Sequence, residues 1–217
     1  MTVWRTDANG KIFPVNIGGV STPVGSRPGG RTAKVRAAVL GAVVDLLVES
    51  GLPGLEIPIV ADRAGVGKST VYRRWGTVPA LVADLLADMA ETSVPRADTG
   101  SLRGDLRANA SLVHRTLSDP RQGLLFKAII AAATYDERTA EALAEFYKRR
   151  IAEWSGCVED AVRRGEALPG TDATAVIRQV SAPLYYQFLT STRPLTALDA
   201  RRAADAALAA VDAGVFG

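Results

Sequence analysis

The fold class this sequence predicts is all-α, arranged as two helical domains behind an N-terminal arm, and three observations predict it. From Thr32 to the C-terminal end, apolar residues recur at intervals of three and four, the period of helices that bury one face. Runs that alternate apolar and polar residues, the mark of strands, are nearly absent. Glycine and proline are concentrated at a few places, where they divide the helical pattern into segments. With 217 residues, 47% of them hydrophobic and 23% charged, the chain has room for one large or two modest cores.

Residues 1–30 hold Gly10, Pro14, Gly18, Gly19, Pro23, Gly25, Pro28, Gly29 and Gly30 without a sustained period, and read as a flexible arm. Val3-Trp4 and Ile12-Phe13 are its apolar spots. A first helix follows from Thr32, with Val35, Ala38, Val39, Ala42, Val43, Leu46 and Leu47 on one stripe and Gly51 as its stop. After Pro53-Gly54, Glu56 is the expected cap of a short helix running to Ala64, with Pro58 in the first turn, where its missing N–H costs nothing. Gly65-Val66-Gly67 breaks it. Residues 68–75 form the next short helix, ended by Gly76. Thr77 then caps a fourth helix to about Glu91, carrying Leu81, Val82, Leu85, Leu86 and Met89 on one face, and 93–100 with Pro95 is the linker. Further helices are expected at 102–117, 121–133, 136–164, 171–190 and 198–213, with Pro183 kinking the fourth of these five.

The single cysteine, Cys157, has no partner for an internal disulfide, which suits a reducing cytoplasm, and no Cys/His cluster has metal-ligand spacing. No apolar run approaches the length of a membrane span, so no membrane role is expected. The net charge is only +3, but it is unevenly spread: residues 1–80 carry ten Lys/Arg against five Asp/Glu, leaving sixteen against eighteen for the rest. The N-terminal third is therefore the part suited to a polyanion.

Two short helices joined at a glycine corner and preceded by a longer amphipathic helix are the outline of a helix-turn-helix. Its second helix presents Lys68, Ser69, Thr70, Tyr72, Arg73 and Arg74, all able to donate hydrogen bonds to phosphates or base edges, while Val71 and Trp75, four apart, face inward. The run Val60-Ala61-Asp62-Arg63-Ala64-Gly65-Val66-Gly67-Lys68-Ser69-Thr70-Val71-Tyr72-Arg73-Arg74-Trp75, followed by Ala80-Leu81, resembles the tetracycline-repressor (TetR) family of transcription regulators. Weaker similarity extends through Asp98-Thr99-Gly100-Ser101-Leu102-Arg103, Arg164-Gly165-Glu166 and Pro183-Leu184-Tyr185-Tyr186.

That resemblance implies a three-helix DNA-binding domain with its connecting helix at 31–92 and an effector-binding and dimerisation domain at 93–217. The recognition helix at 68–75 would enter the major groove, with Tyr72 on a phosphate and the fourth helix linking effector binding to DNA affinity. The DNA-binding set expected on this basis is Arg31, Lys68, Ser69, Thr70, Tyr72, Arg73 and Arg74. Two positions depart from the family's pattern: Val78 stands where a Lys is common, and Glu56 where Ser or Thr usually opens the second helix. Each removes a typical phosphate donor, which implies either a lower affinity or compensation by the arm, whose Arg5, Lys11 and Arg27 can displace counterions from DNA.

Gly65-Val66-Gly67-Lys68-Ser69-Thr70 also resembles the end of a phosphate-binding P-loop, but the required earlier glycine is Asp62, and no series of strands and helices follows. An enzyme is the broader alternative; His114, the only histidine, has no nucleophile or acid partner identifiable by spacing, so no catalytic residue and no cofactor is expected. In the C-terminal domain most aromatic residues are core. His114, Phe126, Ile130, Trp154 and Tyr186 are the candidates for lining a site for an apolar or aromatic effector whose identity the sequence does not reveal. The last two helices resemble the family's dimerising pair, and Ala203, Ala206, Ala207 and Ala210 would permit close approach of the homodimer mate. The expected partners are double-stranded DNA, a small-molecule effector and a second copy of the chain, in the cytoplasm.

Overall fold

A computed structural model describes the backbone of residues 2–6, 12–16 and 29 and, in full, residues 30–217. Among the described residues there are nine α-helices and one short hairpin, so the expected all-α architecture holds for the body of the chain.

The hairpin is a departure from the unstructured arm expected at 1–30. β1 (Thr2–Thr6) pairs antiparallel with β2 (Ile12–Asn16), Trp4 lying opposite Pro14. Both segments are rich in β-branched and aromatic residues, and a two-stranded ribbon has only edges, so Pro14 costs little there. The strand signal was five residues long at each site, too short to stand out beside the surrounding glycines and prolines.

The described chain divides into two compact units, one comprising the residues up to Ser93 with Leu124–Phe146, the other Val94–Gly123 with Tyr147–Gly217. In the first, α1 (Gly29–Ser50) begins three residues before the expected Thr32. A 3-10 turn (Leu52–Gly54) follows, then α2 (Ile57–Ala64), α3 (Lys68–Arg74) and α4 (Val78–Thr92). Their core is built from Val39, Leu40, Val43 and Leu47 of α1 with Val60, Val71, Leu81, Val82, Leu85 and Leu86, all essentially inaccessible to solvent. Glu56 occupies the N-cap of α2 but its side chain makes no capping bond, a correction to the cap expected there; Pro58 alone favours that start. Gly65, at φ 65°, closes α2, its N–H reaching Asp62 and that of Val66 reaching Ala61, a left-handed turn that only glycine adopts freely. Thr77 caps α4 as expected, its Oγ1 accepting from the Ala80 N–H at 3.3 Å.

In the second unit α5 (Leu102–Ser118) packs on α8 (Ala173–Thr190) and α9 (Ala197–Asp212). α6 (Pro120–Ala133) and α7 (Glu137–Arg164) each contribute residues to both units. α8 continues through Pro183. α9 opens with a capping box in which Thr196 and Asp199 bond each other's backbone N–H groups, and Arg193 and Thr196 hold the Asp199 carboxyl below the usual carboxylate range. Ala203 and Ala207 of α9 are buried within this unit, at 5% and 0% exposure, whereas Ala206 is exposed and Ala210 half-buried. Of the four small residues expected at a dimer contact, two are therefore spent on the chain's own core.

Candidate nucleic-acid interface

α3 is only seven residues long, so its orientation rests on what its inward side chains grip. Val71 is fully buried and Trp75, the residue that ends the helix, is 9% exposed; these are the two positions expected to face inward. The opposite side is open. Lys68, Ser69, Arg73 and Arg74 are exposed, Thr70 is half-buried, and Tyr72 is 50% exposed. Arg31, at the head of α1, is exposed as well.

The seven expected DNA-contact residues are not equivalent. The hydroxyl of Tyr72 and the guanidinium of Arg73 have no hydrogen-bond partner among the described residues, so both are available to an incoming phosphate or base edge. Lys68 sits 3.8 Å from Asp62 in a solvent-exposed pair, which a phosphate would displace at little cost. Arg74 is engaged within the chain: its guanidinium lies 4.9 Å from the Trp75 ring centroid and donates to the Thr32 carbonyl at 3.3 Å. The structure thus gives Arg74 a second, intramolecular task.

The segment preceding the Gly65–Gly67 corner is the helix α2, where a P-loop requires a strand. Phosphate cradling in the P-loop manner has no structural basis here. Among the described residues, no group of three or more His, Cys, Asp and Glu is arranged to hold a metal ion.

Beneath α3, the connecting helix α4 is tied to its neighbours by charge. Arg36 of α1 donates from Nε to both carboxylate oxygens of Asp84 at 3.1 Å and from Nη2 at 2.8 Å, and its Nη1 pairs with Asp88. Trp75 Nε1 donates to the same Asp84 at 2.9 Å. Burial on its own would raise the Asp84 pKa, but the hydrogen bonds from Arg36 and Trp75 outweigh it and hold the carboxyl below its ordinary range. The sequence marks Trp75 as inward-facing but not Arg36, Asp84 and Asp88, because Arg36 lies 48 positions from Asp84 and each of the three alone reads as a surface charge.

The five candidate effector residues are divided between the two units: Phe126 and Ile130 belong to the first, His114, Trp154 and Tyr186 to the second. Phe126 is buried and 5.9 Å from Phe146; Ile130 is half-buried. His114 is half-buried with Nε2 3.3 Å from the Leu195 carbonyl, and Trp154 is 3% exposed. Tyr186, by contrast, is 72% exposed on an open groove of roughly 500 Å³ lined by Gln179, Pro183, Gln187 and Arg193 among others. The neighbouring aromatic pair is the better enclosed one, Tyr147 and Tyr185 meeting edge to face at 5.5 Å. In the second unit Cys157 is fully buried, and burial pushes its thiol up to about 12, which leaves it inert.

The two weaker motifs of the C-terminal half meet in the structure. Glu166 accepts from the Leu102 N–H at 2.6 Å, and Asp105, fully buried, accepts from both the N–H and the hydroxyl of Thr99 at 2.8 Å. Asp98–Arg103 and Arg164–Glu166 are therefore two halves of one clasp at the head of α5.

A short exposed cationic helix set on a glycine corner against α1 and α4, with a separate helical unit behind it in sequence, defines a helix-turn-helix regulator. A family model described as "Tetracyclin repressor-like, C-terminal domain" matches residues 96–207, more than half the chain. The HTH-type transcriptional regulator YdeS of Bacillus subtilis is 31% identical over 153 residues, 70% of this chain and 77% of that protein. The DNA-binding transcriptional repressor TetR of Mycobacteroides abscessus is 30% identical over 165 residues, 73% and 84% of the two chains. The crystal structure of the TetR family transcription regulator SCO0332 superposes with a TM-score of 0.66 at 27% identity, covering 82% of this chain and 98% of that one. Salmonella enterica GusR, at 21% identity, shares the fold, with a TM-score of 0.65 over 84% of this chain and 95% of its own. The chain belongs to the TetR family of helix-turn-helix transcription regulators.

Proposed function

We propose that this regulator is a homodimeric repressor that binds an inverted-repeat operator and is released from it by a small apolar or aromatic effector. The observation that carries the reading is the two-sided character of α3: Val71 and Trp75 anchor it, while Lys68, Ser69, Tyr72 and Arg73 stand in solvent without a structural task that would explain them all. On this reading residues 31–92 read DNA, with Arg31, Thr70 and Arg74 completing the contact set, and residues 93–217 bind the effector and dimerise. The candidates for lining the effector site are, in the second unit, His114, Trp154 and Tyr186 and, in the first, Phe126 and Ile130. The dimer goes with the operator, since an inverted repeat has two half-sites and needs two reading heads related by a two-fold axis. Regulation without catalysis, in the cytoplasm, is the role that fits the relatives' descriptions as transcription regulators. No helix among the described residues is long and apolar enough to cross a membrane.

Sequencing the duplexes that the purified protein selects from a random pool tests the proposal. Recovery of an inverted repeat supports both DNA reading and two-fold symmetry; recovery of unselected sequence overturns it.

The arm supplies a second test. Arg5, Lys11 and Arg27 add three positive charges to the DNA-facing third of the chain. If all three displace counterions, deleting residues 1–30 flattens the slope of log affinity against log salt by about 2 to 3 per protomer. Identical slopes for the full-length and truncated proteins would remove the arm from the interface.

A further inference from the structure

A reading helix of seven residues, about 10 Å long, has little contact area with which to hold its own angle. Val71 grips its middle. Its C-terminal end is held by something less expected. The Trp75 indole N–H is fixed at 2.9 Å by Asp84 of α4, and Asp84 is itself held by the fork of Arg36 from α1, whose remaining nitrogen is occupied by Asp88. Over the ring lies the guanidinium of Arg74, anchored in turn to the Thr32 carbonyl. Trp75 is thus clamped edge and face at the point where α3 meets the two helices below it.

We propose that Asp84 is a positioning residue for DNA reading: by accepting the Trp75 N–H while held by Arg36, it sets the angle of α3 and so the register of Tyr72 and Arg73 on the operator. The proposal rests on the reading of α3 as the DNA-facing helix. Base-edge contacts demand placement within about 0.5 Å, whereas attraction to phosphates tolerates any register. Loss of the clamp should therefore degrade discrimination between sequences and leave the attraction to DNA in general.

The test is the ratio of two affinities, one for the duplex selected by the wild-type chain and one for a random duplex of equal length, both measured well below the melting temperature. Trp75→Phe keeps a ring in place but removes the N–H, and Asp84→Ala removes its acceptor. Each should lower the ratio about tenfold with the random-duplex affinity not weakened, and the double variant should lose no more than the worse single one, because both break the same bond. A merely structural role would reduce both affinities by the same factor, as the folded fraction falls, and that outcome overturns the proposal. So does an unchanged ratio, or additive losses. If Asp84→Ala does not fold, Trp75→Phe decides alone through the ratio. Failure of the proposal is separable from failure of the DNA-reading assignment: if Tyr72→Phe and Arg73→Ala weaken binding to the selected duplex while Trp75→Phe does not alter the ratio, α3 reads DNA and Asp84 does not position it.

Discussion

Replacing Arg73 by Ala is expected to reduce operator affinity by about 30-fold or more while leaving helix content and oligomeric state unchanged. A good bidentate contact from an arginine to a base is worth about 1–3 kcal/mol, and a two-headed complex loses it twice. The side chain is exposed and bonded to no other described residue, so its removal takes nothing from the fold. Tyr72→Phe deletes a single hydroxyl from a half-exposed ring and should cost less, about tenfold. Arg74→Ala should differ in kind: because Arg74 covers Trp75 and reaches the Thr32 carbonyl, its loss also takes about 0.5–1 kcal/mol from stability, as expected of an exposed cation–π contact. Binding isotherms on the selected duplex, read beside circular dichroism and sedimentation, check all three. Unchanged affinity for Arg73→Ala in a folded dimer would show that α3 is not the reading helix.

Trp154→Ala should lower stability by about 3–5 kcal/mol, the range found when a large aromatic is cut from a packed core. For a chain of this size that corresponds to a fall in melting temperature of about 10 °C. Trp154 is 3% exposed on α7, in a stretch with Cys157, Val158 and Ala161 fully buried. Phe126→Ala should lose a similar amount, since Phe126 is equally buried and stacks obliquely on Phe146. Tyr186→Ala, at 72% exposure, should change stability by no more than about 0.5 kcal/mol. Thermal melts of the three variants separate side chains that hold the fold from those free to serve a ligand. Melting unchanged in Trp154→Ala would show that its surroundings close up without it, and would return it to the role of a dispensable lining residue.

What was legible in the sequence is what short-range chemistry controls. The helical period, the glycine stop at Gly65, the Thr77 cap and the inward pair Val71 and Trp75 each depend on residues within four positions of one another, and each took the form expected. The exposed set on α3 followed from the same period, because once two residues four apart are buried, the others must face away. The hairpin of β1 and β2 is not legible in the sequence because its strands are only five residues long and stand among glycines and prolines that read as loop.

Tertiary structure alone decided which surface residues are tied to one another. Nothing local marks Arg36, Asp84 and Trp75 as a single unit, since an ion pair depends on distance in space and these side chains come from three elements. It likewise joined Glu166 to Leu102 across 64 positions, making one clasp of two motifs that read separately. It also turned Ala203 and Ala207 inward while Ala206 stayed exposed, a division that helical spacing permits but does not choose. By itself, then, the sequence determined an all-α chain with a short helix at 68–75 whose polar and cationic side chains face solvent, because periodicity and capping are properties of neighbours. The packing of α1, α3 and α4 determined how that helix is held, because burial and charge pairing are properties of the folded whole.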